Sequence, residues 1–133
     1  MRYVSTRGGG EPLTFKQTIM TGLARDGGLY LPATVPDVRD RLSGWRALSY
    51  QDLAFEIIRL FADDIPDDVL RDIVARSYAT FRHPEITPVV KVGPVHLLEL
   101  FHGPTLAFKD VALQFLGNLF EYVLGETGGE MNI

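Results

Sequence analysis

Cysteine is absent from this sequence of 133 residues, and tryptophan occurs once. The absence of cysteine excludes disulfide bridges, thiol catalysis and cysteine-based metal sites. Basic residues are few, since 13 Lys and Arg stand against 17 Asp and Glu, for a formal charge of −4. They form no basic cluster, and the histidines lack the spacing of metal ligands. The composition therefore favours neither a nucleic-acid partner nor a metal site.

Long apolar runs are absent as well. No segment approaches the length of a membrane span, and the N-terminus has no apolar run of signal-peptide length. The apolar fraction of 46% is nevertheless enough for a hydrophobic core, which argues against intrinsic disorder. We therefore expect a cytoplasmic protein with one compact domain, or one small domain and part of another.

The first 86 residues have the pattern of short amphipathic helices. Thr14 and Gln17 stand at the spacing of a capping box, and Asp26-Gly27-Gly28 is a helix-stop signal. Pro66 occupies the position that proline favours at a helix start. The predicted elements are a strand over 3–6, a helix from 14 that ends at 26–28, an extended piece over 29–31, and helices over 49–62 and from 66 to His83-Pro84.

The pattern changes at Thr87. Val89–Val92 and Val95–Leu100 are β-rich segments on either side of Gly93-Pro94, which predicts two strands joined by a turn. A helix is predicted from about Thr105 to Leu124, with Gly125 as its stop. Apolar residues cover most sides of that helix, which is typical of a buried helix.

The residues after this helix resemble a loop followed by the beginning of another strand. The loop is Glu126-Thr127-Gly128-Gly129, and the extended residues are Glu130 to Ile133. A strand, a buried helix, a loop and a strand are the first elements of a β-α-β unit. We therefore expect a fragment of a longer α/β protein, in which the helix lacks part of its cover.

Lys109 is the residue whose placement most needs an explanation. It falls in the first turn of the predicted helix, where the helix dipole disfavours a cation. In one interpretation its methylenes lie on apolar surface, its ammonium reaches water and Asp110 neutralises it. In the other the amine is partly buried and unprotonated, as a nucleophile that attacks a carbonyl must be. Spacing alone leaves both interpretations open.

Three stretches of the sequence resemble threonine synthases. The run L-E-L-F-H-G-P-T-L-A-F-K-D-V-A-L, Leu98 to Leu113, resembles the segment around the cofactor lysine of these enzymes. Y-V-S-T-R-G, Tyr3 to Gly8, resembles their N-terminal opening, and G-L-A-R-D-G-G-L-Y-L-P, Gly22 to Pro32, the segment after their first helix. The matched stretches lie in the expected order and span nearly the whole chain.

The resemblance implies a fold. Threonine synthases are pyridoxal-phosphate enzymes of the same broad fold family as tryptophan synthase β. Residues 1–86 would then form a small α-rich N-terminal domain. Residues 87–133 would form the first strands and helix of a three-layer αβα catalytic domain, which is incomplete in this chain.

The resemblance also implies a reaction. Lys109 would bind pyridoxal 5'-phosphate as a Schiff base and act as the proton-shuttling base of a phosphate-eliminating lyase. The cofactor ring would serve as electron sink while O-phospho-L-homoserine and water become L-threonine and phosphate, the last step of threonine biosynthesis. Thr105 and Asp110 would be capping and dipole partners rather than reactants. The loop for the cofactor phosphate would lie beyond this chain, so the fragment would be inactive alone, and the enzyme a monomer or homodimer.

Two alternatives stay open beside this reading. The chain could belong to a related pyridoxal-phosphate-dependent dehydratase. It could also be a non-catalytic interaction module derived from the same family, with the apolar helix as a docking surface. Near Lys109, His102 is expected to bond the backbone and fix the loop, and the role of Glu99 is open.

Overall fold

A computed structural model describes residues 1–128 of the chain. These residues belong to two compact units, one of residues 1–48 and 53–70, the other of residues 49–52 together with the chain from Arg71. The strand predicted over 130–133, and Gly129 before it, lie outside the described residues.

The described elements are short strands and helices. The first are β1 (Tyr3–Ser5), α1 (Phe15–Thr21), β2 (Tyr30–Pro32), a 3-10 turn (Arg39–Arg41), α2 (Leu42–Trp45) and α3 (Tyr50–Ile58). The next are α4 (Asp67–Tyr78), β3 (Val89–Val92), β4 (Val95–Leu98) and α5 (Asp110–Thr127). Among residues 1–128, no helix is both long and apolar enough to span a bilayer.

The start of α1 confirms the predicted capping box. The Gln17 amide donates to Thr14 Oγ1 at 3.3 Å, and the Thr14 amide donates to Gln17 Oε1 at 2.9 Å. The predicted end of α1 is wrong, because the helix stops at Thr21 and not at Asp26-Gly27-Gly28. Gly22 provides the earlier stop, since its φ of 69° turns the chain out of the helix.

The first unit is built around the β1–β2 pair. The two strands are antiparallel, with Tyr3 opposite Pro32 and Ser5 opposite Tyr30, which confirms the predicted strand and extended piece. The Tyr3 side chain is buried, and its hydroxyl donates to the Phe61 carbonyl at 2.9 Å. The other buried apolar residues of this unit are Ala24, Phe55, Ala62, Ile65 and Leu70.

The predicted helix over 49–62 is shorter in the structure. It is regular only over Tyr50–Ile58, and the chain then tightens, since the Leu60 amide bonds the Ile57 carbonyl and the Phe61 amide bonds the Ile58 carbonyl. Such i→i+3 bonds are typical of a fraying C-terminus. Pro66 lies one residue before α4, at the N-cap rather than at the predicted first helical position, because its carbonyl accepts the first helical bond, from Leu70 at 2.9 Å.

The second unit contains the β3–β4 hairpin. The strands are antiparallel, with Val89 opposite Leu98 and Val92 opposite Val95, which confirms the predicted pair of strands. Gly93 has a φ of 58°, as tight hairpin turns require. The second strand ends two residues earlier than predicted, although the Glu99 amide still bonds the Pro88 carbonyl at 3.0 Å.

Helix α4 is joined to α5 by polar contacts within this unit. The Tyr78 hydroxyl donates to the Val111 carbonyl at 3.1 Å, and Asn118 Nδ2 donates to Ser77 Oγ at 3.1 Å. The Arg76 guanidinium binds Asp72 on its own helix, and Asn118 and Glu121 on α5. The buried apolar side chains of this unit are Ile73, Val74, Tyr78, Ile86, Leu119 and Val123.

Helix α5 differs from its predicted bounds at both ends. It begins at Asp110 rather than at Thr105, because the preceding residues form a loop. It continues through Gly125 to Thr127, and its C-cap is Gly128, whose φ of 63° is the left-handed conformation of a helix stop. Its apolar residues are fully buried only at Leu119 and Val123, so within residues 1–128 the helix lacks part of its cover, as expected.

Candidate functional site

Lys109 lies immediately before α5. Its backbone is helical, with φ −66° and ψ −20°, and its carbonyl accepts from the Ala112 amide at 3.0 Å and the Leu113 amide at 2.8 Å. The residue therefore occupies the N-cap position rather than the first-turn position that the sequence predicted. The positive end of the helix dipole still lies beside it.

The Lys109 side chain is exposed. Among residues 1–128 its amine has no hydrogen-bond or ion-pair partner, so the expected neutralisation by Asp110 does not occur. The partial burial expected for a reactive amine is likewise not provided by these residues. Residues 1–128 thus provide a primary amine at a helix start that none of their acceptors binds.

Asp110 is turned towards the preceding loop. Its side chain is only 2% exposed, and it accepts two hydrogen bonds from Thr105, one from the amide at 2.8 Å and one from the hydroxyl at 2.7 Å. Burial alone would raise the pKa of Asp110. Hydrogen bonds from Thr105, Gln114 and Ala107 outweigh burial and hold that pKa below 3.8.

Gly103 lies directly against this carboxylate. A Cβ at position 103 would stand 2.5 Å from Asp110 Oδ2, closer than any unstrained contact. Glycine is therefore the residue that lets the backbone approach Asp110 so closely. The sequence analysis predicted Thr105 and Asp110 to be separate capping and dipole partners, and it missed the close approach of Gly103 to Asp110. The only sequence signal for that approach was the glycine two residues before Thr105.

The residues between Gly103 and Lys109 form a strained loop, hereafter the Gly103–Lys109 loop. Leu106 has a φ of 64°, a left-handed conformation that costs an L-residue about 1 kcal/mol. The Leu106 amide bonds the Gly103 carbonyl at 3.2 Å, and the Asp110 amide bonds the Ala107 carbonyl at 3.0 Å. Strain of this kind persists only where surrounding contacts fix the conformation.

His102 and Glu99 form a pair just before this loop. His102 Nε2 lies 2.7 Å from Glu99 Oε2, and both side chains are largely buried. The histidine ring therefore binds a carboxylate and not the backbone, contrary to expectation. Its loop-fixing role comes from its carbonyl, which accepts from the Arg82 amide at 2.9 Å.

The two other stretches that carry the resemblance meet in the first unit. Asp26 accepts from Ser5 Oγ at 2.8 Å, and from the Gly9 and Gly28 amides at 2.9 Å. The Gly28 amide and then the Ser5 hydroxyl hold the pKa of Asp26 below its usual value. The Arg7-Gly8-Gly9-Gly10 segment is thus tied to a carboxylate in its own unit.

The family profile described as threonine synthase N terminus matches residues 2–78, more than half of the chain. The threonine synthase of Saccharomyces cerevisiae is 50% identical over 139 aligned residues, which cover 97% of this chain and 27% of the yeast protein. The chain thus spans little more than a quarter of the length of this relative.

Solved structures agree with the profile. The fold matches the structure of pyridoxal-phosphate-bound threonine synthase from Brucella melitensis, with a TM-score of 0.93 and 43% identity over 98% of this chain and 29% of that one. It also matches yeast threonine synthase, with a TM-score of 0.88, 49% identity, and coverage of 98% of this chain and 28% of that one. Fold and sequence together define an α/β chain of the threonine synthase class. The chain belongs to the family of the threonine synthase N terminus.

Proposed function

We propose that this chain is the N-terminal portion of an enzyme that converts O-phospho-L-homoserine and water to L-threonine and phosphate. The observation that carries the proposal is the exposed Lys109 amine at the start of α5, which has no hydrogen-bond or ion-pair partner among residues 1–128. It lies inside the stretch that resembles the cofactor-lysine segment. The similarity to threonine synthases, over nearly the whole chain, supports it.

The residues present fit pyridoxal phosphate at its aldehyde. An exposed primary amine without a hydrogen-bond acceptor among residues 1–128 is accessible to a carbonyl carbon, which it attacks in its unprotonated form. When bound, the cofactor supplies an electron sink for loss of protons near the substrate amino group. The Brucella relative, whose structure is described as bound to this cofactor, supports the assignment.

Lys109 then has two roles in the proposed reaction. Its Nζ holds the cofactor covalently in the resting enzyme, and as a free amine it moves protons at the substrate Cα and Cβ. In the overall reaction phosphate leaves Cγ and water adds at Cβ. Both roles require an amine whose backbone is held in place, and the start of α5 provides that.

The domain division predicted from the sequence belongs to the same proposal. Residues 1–86 would be the small N-terminal domain, and residues 87–133 the start of a three-layer αβα cofactor domain. The exposed apolar residues on β3, β4 and α5 support this division, since further layers would cover them. The complete enzyme would be cytoplasmic and either a monomer or a homodimer, and this fragment alone would be inactive.

The test uses the complete protein loaded with pyridoxal phosphate. Borohydride should fix the cofactor onto Lys109, and peptide mass spectrometry should find none on Lys16 or Lys91, the other lysines of this sequence. Lys109→Arg should abolish the adduct and lower threonine formation by about 10³-fold, because the proton-moving amine is lost. The matched control is Lys91→Arg on the exposed face of β3. An adduct on another lysine, or on none, would refute the proposal.

The alternatives are separated by two further measurements. A related dehydratase would turn over threonine or serine in preference to O-phospho-L-homoserine, so a comparison of kcat/KM for these substrates decides between the two enzymes. An interaction module is favoured by exposed apolar residues such as Leu113, which is 51% exposed. Such a module would bind no pyridoxal phosphate, and absorbance and mass measurements on the complete protein detect that.

A further inference from the structure

A partly buried polar contact ties the Gly103–Lys109 loop to the first residue of α5. We propose that Asp110 and Thr105, the Thr105–Asp110 clasp, are positioning residues that hold the Lys109 amine where it meets the cofactor aldehyde. The inference rests on the proposed function of Lys109. It adds to the site two residues that the sequence analysis assigned to capping and the helix dipole.

The Asp110 carboxylate binds towards the preceding loop. A capping carboxylate normally accepts from amides of its own helix. Here the first-turn amides of Ala112 and Leu113 already bond the Lys109 carbonyl. The Asp110 carboxylate instead accepts both donors of Thr105, five residues back in the chain. Its bonds therefore close the loop onto the helix.

Several contacts hold the Gly103–Lys109 loop in place. Gly103 packs against the Asp110 side chain, so closely that no Cβ fits at position 103. Leu106 adopts a left-handed conformation that an unconstrained leucine avoids. The Asp110 carboxylate is almost fully buried and accepts from both donors of Thr105. Hydrogen bonds to a charged acceptor are strong enough to hold the Leu106 conformation. The strain and the contacts that maintain it both lie within six residues of Lys109.

Helix α5 is itself anchored to α4. The Val111 carbonyl accepts from the Tyr78 hydroxyl at 3.1 Å, and the Gln114 carbonyl accepts from Ser77 Oγ at 3.3 Å, so both bonds come from α4. Lys109 therefore joins an anchored helix to a loop held by the clasp. Its backbone is held on both sides, while its side chain stays exposed, so the amine explores only the rotamers of one fixed Cα. Such preorganisation raises the rate at which a nucleophile meets a bound electrophile.

The experiment follows formation of the Lys109 adduct in the complete protein after its cofactor has been removed. Pyridoxal phosphate is added, samples are quenched with borohydride over time, and the Lys109 peptide is quantified by mass spectrometry. We compare Asp110→Asn, Thr105→Val and Thr105→Ser, with Asp68→Asn in the first turn of α4 as the matched control, because Asp68 is exposed.

Asp110→Asn and Thr105→Val should slow adduct formation about tenfold per folded molecule, because each removes a charge-assisted bond of the clasp. Thr105→Ser, which keeps the hydroxyl, should restore a rate close to wild type, and Asp68→Asn should leave it unchanged. Circular dichroism supplies the folded fraction and the melting temperature for each variant.

The outcomes separate the two proposals. If the wild-type protein forms no adduct on Lys109, the proposed function fails. If it forms the adduct and the folded variants do so equally fast, the clasp has no positioning role and the proposed function stands. A lower melting temperature with an unchanged rate is the signature of a structural contact only, and overturns the inference. If Asp110→Asn does not fold, Thr105→Val tests the inference, because it keeps the Asp110 carboxylate. A wild-type rate of adduct formation in Thr105→Val overturns the inference.

Discussion

The hydroxyl of Tyr3 couples the stability of the first unit to alkaline pH. Burial, followed by the negative charges of Asp63 and Asp64, raises the pKa of Tyr3 from 10.0 to about 12. Because the folded pKa is the higher one, this contribution to stability is complete below pH 10 and is lost as the pH rises from 10 towards 12. We expect the free energy of unfolding to fall over that range.

Tyr3→Phe tests this coupling. It should cost about 1 to 2 kcal/mol below pH 10, because the Phe61 carbonyl loses its donor. The variant should also lose less stability than wild type as the pH rises further. Urea unfolding monitored by circular dichroism across the pH series measures both effects. Curves that remain parallel up to pH 12 would contradict the assignment of the pKa to this residue.

Single residues were predictable from the sequence where their chemistry is unusual for their position. Lys109 is conspicuous as a lysine at a helix start, and its stretch carries a specific resemblance. The bond between Thr105 and Asp110 was not predictable, because it requires the loop to fold back by way of a left-handed leucine at position 106. Propensity assigns leucine to helices, so it extended α5 over the loop.

The capping box of α1 is the clearest contribution of an element's own sequence to its stability. Thr14→Ala should destabilise the first unit by about 1 kcal/mol, because the Gln17 amide loses its acceptor. Thr21→Ala, at the other end of the same helix, is the matched control and should change stability by less than about 0.5 kcal/mol. Thermal and urea unfolding of both variants supply the comparison, and equal losses would show that the cap is unimportant.

Elements were predicted well where signals are local and poorly where glycines compete. The start of α1 depends on two side chains three residues apart, and it was predicted correctly. Its end was not, because Gly22 and Gly27 are both able to stop a helix and the tertiary contacts of Asp26 decide between them. In α5 the same competition was decided for Gly128 over Gly125.

At the scale of the whole molecule, large apolar side chains of the second unit remain exposed. They are Val89, Val92, Val95, Leu97, Leu98, Phe101, Leu106, Phe108 and Leu113. Apolar surface of this extent is typical of an interface or of contact with further structure. The sequence predicted the missing cover of the helix, but it could not predict which side chains would be left exposed, since that depends on the fold.

The chain produced alone should therefore bind a hydrophobic dye more strongly than the complete protein does. The double variant Leu97→Ser/Phe108→Ser should reduce that fluorescence in the isolated chain, because both side chains are about half or more exposed. Val35→Ser is the matched control, since Val35 is 83% exposed in the first unit. Dye fluorescence at equal protein concentration measures the effect. Equal binding by the isolated chain and the complete protein would show that no further structure covers this surface.

The guanidinium of Arg76 has a consequence for how α4 and α5 stay in register. Its nitrogen atoms reach Asp72 at 2.8 Å, Asn118 at 2.7 Å and Glu121 at 2.8 Å, and the side chain remains 41% exposed. Solvent weakens such bonds, so they add little to the energy of packing. A planar group that serves three acceptors nevertheless satisfies them at one sliding offset and one rotation of the two helices. A lysine ammonium at position 76 would tolerate several offsets. The relative alignment of the two helices would therefore become less well defined before their packing was lost.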